Sequence, residues 1–194
     1  VKLLVESGAD IHKLDNHQGS PFLKALASGN PDVVEYLLQK GANINAMTEI
    51  TGNPLHFVLQ FFNRKKKNEA TFQPIRVALL KVLSPRVKGI VNDLNKEGLP
   101  ALFFTADGEK IPEAEILLKS GAKLSVVDKT YGNSVLHYAA HNQSLTMVKF
   151  FAEKGASINA KNKEGGTPLD FARAYAEKSK SYVEKVSKYE GLVR

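Results

Sequence analysis

Residues 132–160 read GNSVLHYAAHNQSLTMVKFFAEKGASINA, and their order decides the fold. A short apolar run, VLHYAA, comes first and reads as a first helix. A turn around Asn142 separates that run from a second one, which stops at Gly155. Glycine just past a helix supplies a left-handed conformation that other residues reach at a cost of about 1 kcal/mol or more. Two short helices joined by a turn are expected. Helices under about 12 residues are marginal in water on their own, so each needs neighbours.

The rest of the chain supplies them. VKLLVESGADI from residue 1, VEYLLQKGANINA from 34 and AEILLKSGAKLS from 114 repeat the second run, with Gly8, Gly41, Gly121 and Gly155 in register. GSPFLKAL from 19, GNPLHFVL from 52, GLPALFFTA from 98 and GTPLDFARA from 166 repeat the first. Ser20-Pro21, Asn53-Pro54 and Thr167-Pro168 pair a cap residue with proline at the first helical position, where a missing N–H is harmless. The array reads as one domain: a partial unit at 1–14, full units at 15–47, 48–94, 95–127 and 128–161, and a closing unit at 162–194. Such units stack into a solenoid.

These residues resemble the ankyrin repeat, whose pattern is Gly-x-Thr-Pro-Leu-His-x-Ala-Ala followed by Leu-Leu-x-x-Gly-Ala. The resemblance implies an all-α solenoid of antiparallel helix pairs with β-hairpin or loop tips. It also implies a protein-recognition module that needs no cofactor and performs no catalysis. Several units depart from the pattern. Leu23 and Phe103 occupy histidine positions, Pro100 occupies a cap, and the 48–94 unit has no Gly-Ala and is 14 residues longer than the 33-residue period. Its extra chain is expected as a loop over about Asn63 to Gln73, between a helix ending near Phe62 and another resuming at Pro74. The array starts inside a second helix at Val1, so further repeats or a partner are expected to cover that end, within a longer chain.

His137 and His141, four apart, share a helix face as a metal pair would. A zinc site needs three or four ligands, and the chain has no cysteine. In the family, the histidine at the His137 and His56 positions ties loop to helix, and the next-turn position of His141 faces the groove. No nucleophile elbow, phosphate loop or His-Glu-x-x-His motif is present. Glu113 and Glu115 are expected on a solvated helix face.

The net charge of +7 comes from 27 basic and 20 acidic residues. The segment Arg64–Lys88 alone holds eight basic residues and one acid. Its densest part, Arg64, Lys65, Lys66 and Lys67, reads as a solvated loop able to meet an acidic partner. Phe61, Phe62 and Phe72 beside it are expected to plug the lengthened unit. No apolar run approaches the ~18 residues of a membrane span, and the N-terminus lacks a signal-peptide layout. The reading is a cytoplasmic monomer, with the nucleus or, for an injected bacterial effector, the host cytosol as alternatives. The sequon Asn142-Gln143-Ser144 matters only in a secretory compartment.

The resemblance places partner contacts at the tips and on the groove side of the first helices. Carried over, these are His17, Met47, Ile50, Gln60, Lys96, Leu99, Asp107, Tyr131, Asn133, His141 and Asn142. Ile50, Leu99 and Tyr131 are the expected anchors, because apolar and aromatic groups dominate binding energy. Leu99 has an alternative place inside its own hairpin. Two other functions are weighed: a regulatory segment of a larger enzyme, channel or effector, and binding of an acidic partner, nucleic acid or anionic lipid through 64–88. Nucleic acid is the less expected of these partners.

Overall fold

The computed structural model describes residues 1–16, 19–45, 52–63, 69–176 and 190–191. All regular structure among them is helical, as an all-α ankyrin array requires. Two compact units appear, Val1–Val91 and Asn92–Arg194.

The first unit contains α1 (Lys2–Glu6), α2 (Pro21–Ser28), α3 (Pro31–Gln39), α4 (Pro54–Asn63) and α5 (Glu69–Leu83). Ser20 caps α2 by accepting from Leu23 N–H at 3.2 Å, and Gly29 ends it with φ +73°. Asn30 Oδ1 then caps α3 through the amides of Asp32 and Val33. Asn53 Oδ1 caps α4 through Leu55 and His56. The apolar stripes of these helices close on one another, burying Phe22, Leu26, Val34, Leu37, Leu55, Leu59, Leu79 and Leu80. Fully burying one such side chain contributes roughly 1.5–3 kcal/mol, which is why helices this short persist only as a stack.

The lengthened repeat differs from the sequence expectation. Its second helix begins at Glu69, five residues before Pro74, and carries that proline inside. Proline there removes one backbone hydrogen bond. The extension is held by packing: Phe72 lies 5.8 Å from Phe62, which also meets Phe61 edge-on at 5.1 Å. The added residues from Glu69 thus lengthen a helix, and the rest of the expected loop, 64–68, lies outside the described residues. After Leu83 the chain passes into a 3₁₀ segment, Ser84–Arg86.

The second unit contains a 3₁₀ segment (Ala101–Thr105), α6 (Ile111–Lys119), α7 (Val135–His141), α8 (Leu145–Glu153) and α9 (Pro168–Ala176). The 3₁₀ segment stands where an α-helix is expected. Pro100 in the cap position has no side-chain acceptor, and no cap hydrogen bond forms. At the turn between α7 and α8, Gln143 (φ +60°), rather than Asn142, takes the left-handed conformation. Glu113 is fully buried, against the expected solvated face. It occupies the first turn of α6, where a carboxylate faces free amides and the positive helix end, and Lys110 at the cap is buried with it. α7 packs between the 3₁₀ segment, α8 and α9, burying Leu136, Ala139, Ala140, Phe151 and Ala172.

Candidate functional site

The tips of the repeats are loops closed by one side chain each. Asn95 Oδ1 accepts from the amides of Glu97 (3.0 Å) and Leu99 (2.9 Å). Asn162 Oδ1 does the same for Glu164 (3.1 Å) and Gly166 (2.8 Å). Asp128 accepts from Tyr131 (2.6 Å) and Gly132 (3.2 Å) on one oxygen and from Asn133 (3.1 Å) on the other. Leu94 bridges Pro100 in the antiparallel sense, and no strand forms among the described residues. Successive tips then bond to one another: Lys129 N–H donates to Gly98 C=O at 3.0 Å and Lys163 N–H to Tyr131 C=O at 2.8 Å. The tip 128–133 is one residue longer than 95–99, and the extra position is Tyr131. It stands 53% exposed, a large aromatic held on a fixed backbone.

Tyr131 forms one wall of a cleft of about 340 Å³ in the second unit. Asn133, His137, Tyr138 and His141 contribute from the same repeat, and Asn162, Glu164 and Phe171 from the next. Asn162 Nδ2 donates to Asn133 Oδ1 at 2.9 Å and so joins the two halves. His137 is wholly buried at the cleft floor. Ser134 N–H, which can only donate, points at His137 Nδ1 (3.0 Å), and Gly166 C=O, which can only accept, faces Nε2 (3.0 Å). The imidazole is therefore the neutral Nε2–H tautomer. Burial lowers its pKa, partly opposed by Gly166 and by the charges of Asp128 and Asp170. Phe171 meets the ring edge-on at 5.1 Å. Tyr138 directs its hydroxyl at Asp128 Oδ2 (3.5 Å) and packs 4.8 Å from Phe103. Burial, followed by the Asp128 charge, pushes the Tyr138 phenol up to about 12.

Of the sequence-predicted contacts, Tyr131, Asn133 and His141 come together in this cleft. Asn133 is largely buried and serves the loop-to-loop bond as much as the surface. Asp107 and Asn142 line a different recess of about 350 Å³, at the turns leading into α6 and α8, where Ser144 donates to Gly108 C=O at 2.7 Å. Lys96 is exposed at its tip, and half-buried Leu99 closes the turn it belongs to. Gln60 lies half-buried on α4 in the first unit. His17, Met47 and Ile50, and the run Arg64, Lys65, Lys66 and Lys67, fall outside the described residues. Tyr138, Glu164 and Phe171 were missed by sequence reasoning; the available signal is the recurring Asp or Asn three or four residues ahead of a tip glycine.

Two arginines of the wider basic segment are turned to the protein's own interior or surface partners. Arg76 is fully buried in α5. Arg86 makes a forked pair with Glu35 (Nη2–Oε1 2.8 Å, Nη1–Oε2 3.1 Å), which holds the Glu35 carboxyl below its usual range. Neither offers a free cation to an external anion. Among the described residues no cluster of three or more metal-ligating side chains is present, and no helix is long and apolar enough to cross a membrane.

Sequence comparisons agree with the geometry. A family model described as ankyrin repeats (many copies) matches residues 117–172, and a second of the same description matches 1–38 and 22–65. The chain is 30% identical over 172 residues to the phosphocholine transferase AnkX of Legionella pneumophila, covering 87% of this chain and 17% of that protein. It is 25% identical over 167 residues to the protein lin-12 of Caenorhabditis elegans (80% and 11%). It is 28% identical over 192 residues to the human palmitoyltransferase ZDHHC13 (88% and 31%). The chain thus spans less than a third of each of these relatives. With its capped helix pairs, stacked tips and these matches, the chain belongs to the ankyrin-repeat family, a general protein-interaction module.

Proposed function

We propose that the chain recognises a protein partner through the tip-and-helix cleft of its second unit, without catalysing a reaction on it. The observation that carries this reading is Tyr131. An exposed aromatic on a loop fixed by three hydrogen bonds to Asp128 presents apolar area with little entropy left to lose on binding. Lys96 and Leu99 extend the same row of tips, and Asp107 with Asn142 supplies a second set of contacts at the inter-helix turns. By the same reading, the repeats at 15–47, 48–94, 95–127 and 128–161, with the closing unit, act as one recognition array.

Photo-crosslinking tests it. A photoreactive side chain at position 131 should capture a protein in extract from the native cell, and the same group at exposed Lys149 on α8 should not. Equal capture at both positions, or capture at 149 alone, refutes the assignment. A second reading is favoured by the relatives' length: this chain is the targeting or regulatory segment of a larger protein, with the partner of the cleft determining where that protein acts. Cytoplasmic residence and a monomeric state belong to this proposal.

A further inference from the structure

The cleft has a sign that the chain as a whole lacks. The protein carries a net +7, yet the charged residue lining this cleft is an acid, Glu164, and neither lysine nor arginine lines it among the described residues. Asp128 sits beneath Tyr138, and both it and Glu97 raise the phenol's affinity for its proton, which places a negative field at that ring. The charges of Asp128 and Asp170 act on His137 in the same sense, opposing the lowering by burial. Neutral His137 adds no opposing charge. Lys163, beside Glu164 in sequence, is occupied by the carbonyls of Lys129 (2.6 Å) and Thr130 (3.0 Å). The Glu164 carboxylate is exposed and makes no ion pair with any described residue. The cleft therefore combines aromatic faces from Tyr131, Tyr138 and Phe171 with a carboxylate at its rim that no described residue pairs.

A cation over an aromatic face is attracted by the ring quadrupole, more so where water is excluded. A hydrogen bond from the Tyr138 hydroxyl to a carboxylate makes its ring more electron-rich and strengthens that attraction. An apolar anchor would fill the volume but would gain nothing from Glu164, Asp128 or Glu97. An acidic anchor would be repelled by all three. We propose that the cleft between Tyr131, Tyr138 and Phe171 receives the basic side chain of an arginine or lysine in a protein partner, with Glu164 as its counter-ion. The inference rests on the proposed recognition function and specifies the chemistry of its partner. Charge complementarity selects a basic peptide segment as the occupant.

The test uses the full ¹⁵N-labelled chain and short Gly-Ser peptides carrying one central arginine, lysine, citrulline, norleucine or glutamate. At millimolar peptide, arginine or lysine should shift the amide resonances of Tyr131, Gly132, Tyr138 and Glu164, while citrulline, norleucine and glutamate should not. Glu164→Lys should abolish the shifts, and Tyr131→Ala should weaken binding roughly tenfold while Tyr131→Phe retains it. These side chains are at the surface, so a dispersed spectrum of each variant establishes that it remains folded. Equal shifts from citrulline or norleucine, or shifts only from glutamate, overturn the proposal. So does the absence of any shift. The crosslink at position 131 separates the two readings: if it forms, and Glu164→Lys leaves it intact, protein recognition stands and the cationic anchor is wrong. If no crosslink forms there, the recognition reading fails as well.

Discussion

Replacing His137 tests how far one side chain holds two repeats together. Counting only the local bond from Ser134 N–H gives a cost on the order of 1 kcal/mol. The structure adds a second bond, from Nε2–H to Gly166 C=O in the next repeat at 3.0 Å. It also adds an edge-on contact with Phe171, the type of pair that contributes about 0.5–1.5 kcal/mol beyond simple burial. His137→Ala should therefore cost about 3 kcal/mol. His137→Asn keeps an acceptor near Ser134 but cannot reach Gly166, and should fall near half of that. His141→Ala, at an exposed position, should stay within about 0.5 kcal/mol. Urea unfolding followed by far-ultraviolet circular dichroism gives all three values. If His141→Ala costs as much as His137→Ala, the floor-and-rim assignment is wrong; if His137→Asn is no more damaging than His141→Ala, the bond to Gly166 does not hold the two repeats together.

The lowered pKa of His137 also fixes a direction with pH. Its folded-state value lies below the unfolded one of about 6.5, so the unfolded chain takes up the proton first. Stability should be fully present above about pH 6.5 and decline as the pH falls below it, and the decline should shrink in His137→Asn. Gly98→Ala should destabilise by about 2 kcal/mol or more, since φ is +76° and the new methyl would lie 2.6 Å from Lys129 Cβ, whereas Gly155→Ala, with open space around it, should show the conformational strain alone. Thermal melts of the two variants compare them directly. Changing Lys65, Lys66 and Lys67 to Ser should shift unfolding by no more than about 0.5 kcal/mol and weaken only a salt-sensitive interaction, which titration at low and high salt distinguishes.

What the sequence made legible is what one repeat can specify by itself. Ser20, Asn53 and the glycines Gly8, Gly41, Gly121 and Gly155 act through bonds or backbone angles a few residues away, so their spacing announces them. The start of α5 was misplaced because Pro74 looks like a first helical residue, and only the contact of Phe72 with Phe62 shows that the helix continues upstream of it. Glu113 was misjudged for a related reason: beside Glu115 on a helix rich in alanine and leucine it reads as part of a solvated face, but the fold buries it in the first turn of α6 together with Lys110. The cleft carries this furthest. Tyr131, Tyr138 and His141 belong to one repeat and Asn162, Glu164 and Phe171 to the next, so no single repeat contains it. A reading that assigns contacts repeat by repeat finds Tyr131 and overlooks Tyr138, Phe171 and the acidic rim at Glu164. The register of the two halves is set by backbone bonds between tips, Lys129 to Gly98 and Lys163 to Tyr131, which depend on atoms common to every residue. What the sequence does reveal of that register is the close approach itself: Gly98 and Gly132 stand where a side chain would strike Lys129 or Lys163 of the following tip.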